Sequence, residues 1–141
     1  KFFMDLYVSG LYLQATETDA EAILDADETM AIRLHMVSGL ITSEKMTEAT
    51  LEGFENATHG ETAPLQAEID QLLSTFGEPI EKGDIFEFVY APGTGIQIIK
   101  NGAVAQTISS DIAFKRAFFG IWISDRPAQK SLKYEMLGQK V

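Results

Sequence analysis

The polar residues set into apolar runs are where this chain could do chemistry. Asp5 and Tyr7 share one face of the run Phe2 to Leu13, FFMDLYVSGLYL, and Arg33 and His35 share one face of the run Met30 to Val37. A Tyr or Arg buried among such neighbours must find a partner, because an unpaired polar group gives up its hydration for nothing. That partner is either a structural carboxylate such as Asp5 or the head group of a bound acid. Tyr7 and Arg33 are therefore candidate ligand-binding residues. Thr42, just before Ser43-Glu44, is placed to cap a helix at the junction where a pocket commonly forms.

Other chemistries lack their residues. There is no cysteine, which excludes thiol catalysis, disulfides and Cys-ligated zinc. The histidines, His35 and His59, are not spaced as metal ligands; His35 reads as structural and His59 as a solvated loop residue. Pro92-Gly93-Thr94-Gly95 is followed by no helix and reads as a hairpin turn, not a phosphate cradle. No Walker motif and no G-x-S-x-G elbow occurs, and nothing local supports a Ser-His-Asp triad. Asn56-Ala57-Thr58 is a formal glycosylation sequon inside a predicted helix and is set aside. The acidic cluster Asp19, Glu21, Asp25, Asp27, Glu28 reads as a solvated face. No metal or cofactor is expected.

The elements that must position these residues follow from periodicity. Phe2 to Leu13 reads as a strand with a bulge or close approach at Gly10. Thr18-Asp19-Ala20-Glu21 has the capping-box form and opens a short helix to about Asp25, carrying Ala22, Ile23 and Ala26 inward. Met30 to Val37 alternates, with Ile32, Leu34 and Met36 on one face. A helix over Ser43 to Ala57 turns Met46, Ala49, Thr50, Gly53, Phe54 and Ala57 inward. Those small residues allow close packing or leave room for a ligand. A third helix starts near Pro64, with a stripe of Leu65, Ile69, Leu72, Leu73 and Phe76 and a stop at Gly77. Strands at Ile85–Tyr90, Ile96–Lys100 and Ala103–Ile108 form a meander, the last two joined by Asn101-Gly102. Ser110 can cap a helix with Phe114, Ala117, Phe118, Ile121 and Trp122 buried. Pro127 opens a last helix with Leu132, Met136 and Leu137, ended by Gly138. This order favours an α+β fold, an antiparallel sheet with a helical layer on one face, over a doubly wound parallel sheet.

The chain has 141 residues, 45% of them hydrophobic, which suits a single domain over residues 1–141 with a core of its own. No apolar run approaches the ~20 residues of a membrane span. The formal charge of −10 repels phosphate backbones and anionic membranes, so no nucleic-acid partner is expected. The chain starts at Lys1 inside an apolar run, so an N-terminal segment such as a signal peptide is expected to have preceded it.

Three stretches resemble a known family. Leu6-Tyr7-Val8-Ser9-Gly10-Leu11-Tyr12-Leu13 is similar to the "A-x-G-V/L-Y-L" strand of the chalcone isomerase superfamily. Gly39-Leu40-Ile41-Thr42-Ser43-Glu44-Lys45-Met46 resembles its "G-K-Q-Y-S-E-K-V" junction. Phe119 to Ala128, with Leu132 and Leu137-Gly138, resembles its closing segment, most nearly that of the bacterial chalcone-isomerase-like proteins. The resemblance implies an open-faced β-sandwich with a ligand cleft between sheet and helices. It also implies a periplasmic or secreted location, with the cytoplasm as the alternative.

The departures bear on function. By motif, the plant enzyme's first-strand Thr falls on Tyr7, its Tyr on Thr42, its Asn on Ala49 and its last Thr on Gln129. None is retained, and its Arg would lie upstream of Lys1. Flavanone ring closure is therefore not expected. In the superfamily's fatty-acid-binding branch, a Tyr in the context "Y-A-F-G-V-Y" helps hold the acid's carboxylate, and Tyr7-Val8-Ser9-Gly10-Leu11-Tyr12 is similar. The resemblance thus implies a non-catalytic protein that binds a fatty acid or similar small amphiphilic acid, with Tyr7, Thr42, Ala49 and Gln129 around the cleft. The alternatives are an isomerase or lyase acting on an enone-type substrate, and a structural or interaction protein with a filled cleft.

Overall fold

The structure, a computed structural model, describes residues 7–138; the expected strand start at Phe2 to Leu6, and Asp5 with it, lies outside the described residues. In chain order the elements are β1 (Tyr7–Leu13), α1 (Ala20–Asp25), β2 (Met30–Met36), α2 (Ser43–Ala57), a 3-10 turn (Ala63–Leu65), α3 (Gln66–Thr75), β3 (Ile85–Ala91), β4 (Gly95–Lys100), β5 (Ala103–Ile108), α4 (Ile112–Ile123) and α5 (Lys130–Met136). The strands form one antiparallel sheet in the order β1-β2-β3-β4-β5. The expected α+β architecture, with helices layered on one face of an antiparallel sheet, is what the chain adopts.

Alternation decides the inner face. Ile32, Leu34 and Met36 of β2 and Phe86, Phe88 and Tyr90 of β3 are fully or almost fully buried, while Arg33, His35, Glu87 and Val89 between them are half-exposed. Against that inner face lies α4. Its Phe118 meets Phe88 edge to face, with centroids 4.9 Å apart, and Phe54 of α2 stacks on Phe114 at 5.7 Å. Phe76, just past α3, meets Phe86 at 5.5 Å. Each such ring contributes roughly 1.5–3 kcal/mol by burial, and edge-to-face pairs add to that. From Phe114 to Ile123 only Arg116 escapes full burial. Such all-round burial marks a helix packed on several sides, and α4 touches α1, α2, α5 and the sheet.

The turns follow their residue types. Asn101 and Gly102 both take positive φ, 52° and 85°, as a two-residue hairpin of mirror-image type requires. Gly95 has φ 112°, and a Cβ there would fall 2.1 Å from the Ile108 carbonyl oxygen, so the β4–β5 pairing excludes any side chain.

Several local expectations need correction. The cap of α1 is Asp19, whose carboxylate accepts from the Glu21 N–H, not Thr18. Ala22 of α1 is exposed; Leu24 takes the buried place beside Ile23. Asp111, not Ser110, caps α4. Pro127 lies in the connection before α5, which begins at Lys130. Among the described residues no helix is long and apolar enough to cross a membrane.

Candidate functional site

Tyr7 is carried to the inner face by the β1–β2 register, which places it opposite Met36. Its hydroxyl accepts a hydrogen bond from the Trp122 indole N–H at 3.1 Å, and the side chain is 6% exposed. Burial pushes the phenol above its ordinary pKa, against the smaller downward pull of the Trp122 bond, so the hydroxyl keeps its proton. Beside this pair lies a cavity of about 150 Å³ between β1, α2, α4 and the segment that follows α4.

The inward stripe of α2 forms one wall. Met46, Ala49, Thr50 and Gly53 line the cavity, with Glu52 and Asn56 towards its rim. Thr42 starts the helix by accepting from the Lys45 N–H at 3.1 Å, which fixes the phase of that stripe. The Thr50 hydroxyl donates to the Met46 carbonyl at 2.7 Å. Opposite stand Ile121 and Trp122 of α4, then Pro127 and Ala128. The Ala128 N–H donates to the Ile121 carbonyl at 2.7 Å and pins that segment to the end of α4. The cavity thus mixes apolar side chains with a phenolic donor at Tyr7, an acceptor at Thr50, and the carboxylate of Glu52 and the amide of Asn56.

The structure brings Tyr7 and Ala49 together in this cavity and separates the other candidates from it. Thr42 is exposed and spent on its cap. Arg33 pairs with Gly10, one step out of phase with Tyr7, so its side chain stands on the sheet's opposite face. There its Nε lies 4.0 Å from a Glu87 carboxylate oxygen, and both side chains are about 40% exposed. The expectation that Arg33 shares a site with Tyr7 is therefore corrected: strand alternation divides them. Gln129 is buried beside Ala128 but lines a shallow groove with Lys130, Ser131, Lys133 and Tyr134. Its Oε1 finds no hydrogen-bond donor among the described residues. His59 is exposed, as expected for a loop, and lies 3.3 Å from Asp125.

Some site residues were not singled out in the sequence. In the sequence Trp122 is one member of a buried stripe, Asn56 stands out only as part of a sequon, and Glu52 lies off the inward stripe of its helix. Lys115 was missed altogether. It is fully buried, and its ammonium donates to the carbonyls of Ile23 at 2.5 Å, Ala26 at 2.7 Å and Leu24 at 3.0 Å, closing the C-terminal end of α1. The only hint was a Lys inside the otherwise apolar run Ile112 to Ile123. The acidic cluster is exposed, as expected, but three of its members are paired. Arg116 binds Glu21 and Asp25, and the Tyr90 hydroxyl donates to Asp27 at 2.5 Å.

A search of curated protein sequences finds no match. Among solved structures, the crystal structure of the Arabidopsis thaliana fatty-acid binding protein AtFAP1 matches with a TM-score of 0.65 and 18% sequence identity, over 84% of this chain. The match spans 59% of that protein's own length. At such identity the likeness is one of fold. The family model described as chalcone isomerase-like matches residues 1–138. A match over nearly the whole chain, on the fold described above, places this protein in the chalcone isomerase-like family.

Proposed function

We propose that this chain binds a fatty acid or a similar single-chain amphiphile in the cavity beside Tyr7, with the polar end at the Tyr7 hydroxyl. One observation carries the reading. Tyr7 is a buried phenol that accepts from Trp122 and lines a cavity walled in part by Met46, Ile121, Trp122 and Pro127, with its own O–H left to donate. The family match and the fold shared with a fatty-acid binding protein support it. At about 150 Å³ the cavity is smaller than the ~300 Å³ at which drug-sized sites begin. It suits a head group and the first carbons, and a longer tail would part α2 from the Pro127-Ala128 segment.

The test is lipid extraction and mass spectrometry on natively purified protein, followed by titration of the recovered species into wild type and Tyr7→Phe. Loss of one donor predicts binding weakened by about three- to tenfold. No recovered amphiphile, or a recovered one that binds wild type and Tyr7→Phe equally, would overturn the reading. The aromatic cluster that fills the rest of the interior favours a second reading, a structural or interaction protein with a packed cleft. The absence of any binding across an amphiphile series would select it.

A further inference from the structure

We infer that Trp122 is a positioning residue: by donating its indole N–H to the Tyr7 oxygen, it turns the phenolic proton towards the bound head group and makes Tyr7 a donor only. This rests on the amphiphile reading above and names the residue on which its polar contact depends.

A phenolic O–H lies in the plane of its ring, so its proton can point to either side of the oxygen. The Trp122 N–H arrives on one side, at 3.1 Å. A proton turned that way would meet the indole proton head on, so it takes the other side. Among the described residues no group accepts from the Tyr7 hydroxyl. The open partner position therefore belongs to whatever occupies the cavity that Tyr7 lines. Burial raises the phenol's pKa, so the proton is there to be given. The bond from Trp122 also polarises the O–H, because hydrogen bonds linked in a chain strengthen one another where water is scarce.

Packing sets both partners in place. Tyr7 stands opposite Met36 in the β1–β2 ladder. Trp122 is 4% exposed on α4, and its ring meets Phe118 edge to face with centroids 5.3 Å apart. The indole is thus fixed before a ligand arrives, and the orientation of the Tyr7 proton costs the ligand nothing.

The experiment is a double-mutant cycle read by calorimetry. Its probe is whichever of octanoate and 1-octanol binds wild type more tightly. Trp122→Phe keeps an aromatic ring and removes the N–H. It is expected to weaken binding about threefold more in the wild-type background than in Tyr7→Phe, since its effect passes through the hydroxyl. Equal effects in the two backgrounds, the mark of a wall contact alone, would overturn this inference and leave the amphiphile reading standing. Trp122 is the only tryptophan, so one indole N–H resonance reports on the bond. That resonance is expected to move upfield in Tyr7→Phe, which keeps the ring and deletes the acceptor. A resonance left in place would overturn the inference even where Trp122→Phe fails to fold. If neither probe binds wild type, the amphiphile reading falls and this inference with it.

Discussion

Gly53 sets how closely α2 approaches α4. A Cβ at that position would lie 2.7 Å from Ile121 Cγ2, and one at Gly120 would lie 3.2 Å from the Ala57 Cβ. Gly53→Ala is therefore expected to cost about 1–3 kcal/mol by overpacking, read as a lowered urea midpoint. It should also weaken any ligand in the adjoining cavity, since Gly53 and Ile121 both line it. The spacing of small residues on α2 made this close approach legible in the sequence. The partner of Tyr7 was not legible. Periodicity places a residue on a face but says nothing of what lies opposite, and the Tyr7–Trp122 bond spans 115 positions. Arg33 shows the converse. Its face was readable from β2, but which side of the sheet Tyr7 would share was fixed only by the β1–β2 register.

A six-residue helix such as α1 is too short to hold itself together in water. It is fastened at one end by the Asp19 cap and at the other by Lys115. Lys115→Met keeps the apolar stem and deletes the ammonium that donates to those three carbonyls, leaving Ile23 only the Ala26 N–H. The expected cost is about 2 kcal/mol, the penalty of stranded backbone acceptors. Hydrogen exchange should accelerate in α1 while the β2 and β3 amides stay protected. If exchange in α1 is unchanged, the fastening is not what holds it. Element boundaries set by hydrophobic period, such as Ser43–Ala57 and Ala103–Ile108, were readable to the residue. Caps were less so. In Thr18-Asp19 and Ser110-Asp111 two good capping residues stand side by side, and propensity cannot choose between them.

The whole molecule's response to pH follows from groups locked into that framework. Burial lowers the Lys115 pKa from 10.5 to about 8, against the upward pull of Asp25 and Asp27. Between those values the unfolded chain holds a proton that the folded one has released, so stability rises with pH through that window. The tyrosines act oppositely. Burial, followed by the bond to Asp27 and its charge, raises Tyr90 from 10.0 to about 12, and burial raises Tyr7 as well. Unfolded phenols then ionise before folded ones, and stability falls as pH climbs from about 10. Urea midpoints should thus climb from about pH 8 and decline beyond about pH 10. Lys115→Met should flatten the climb, and Tyr90→Phe should soften the decline. A profile that Lys115→Met leaves unaltered would remove the lysine from this account. The sheet's order was within reach of the sequence because each strand pairs with the next in the chain. The cavity was not, because it is the space left over after every side chain has packed.

The hairpin at Asn101-Gly102 carries a consequence of another kind, chemical ageing. An asparagine followed by glycine is prone to cyclise: the Gly102 nitrogen attacks the side-chain carbonyl and expels ammonia to give a cyclic imide, which water then opens to aspartate or isoaspartate. In the fold that amide is occupied twice: its oxygen accepts from the Ile85 N–H at 2.8 Å and its nitrogen donates to Asp84 at 3.1 Å. The same contacts that close the turn thus slow its decay, and a molecule in which they open becomes free to gain one irreversible negative charge, a record of time spent unfolded.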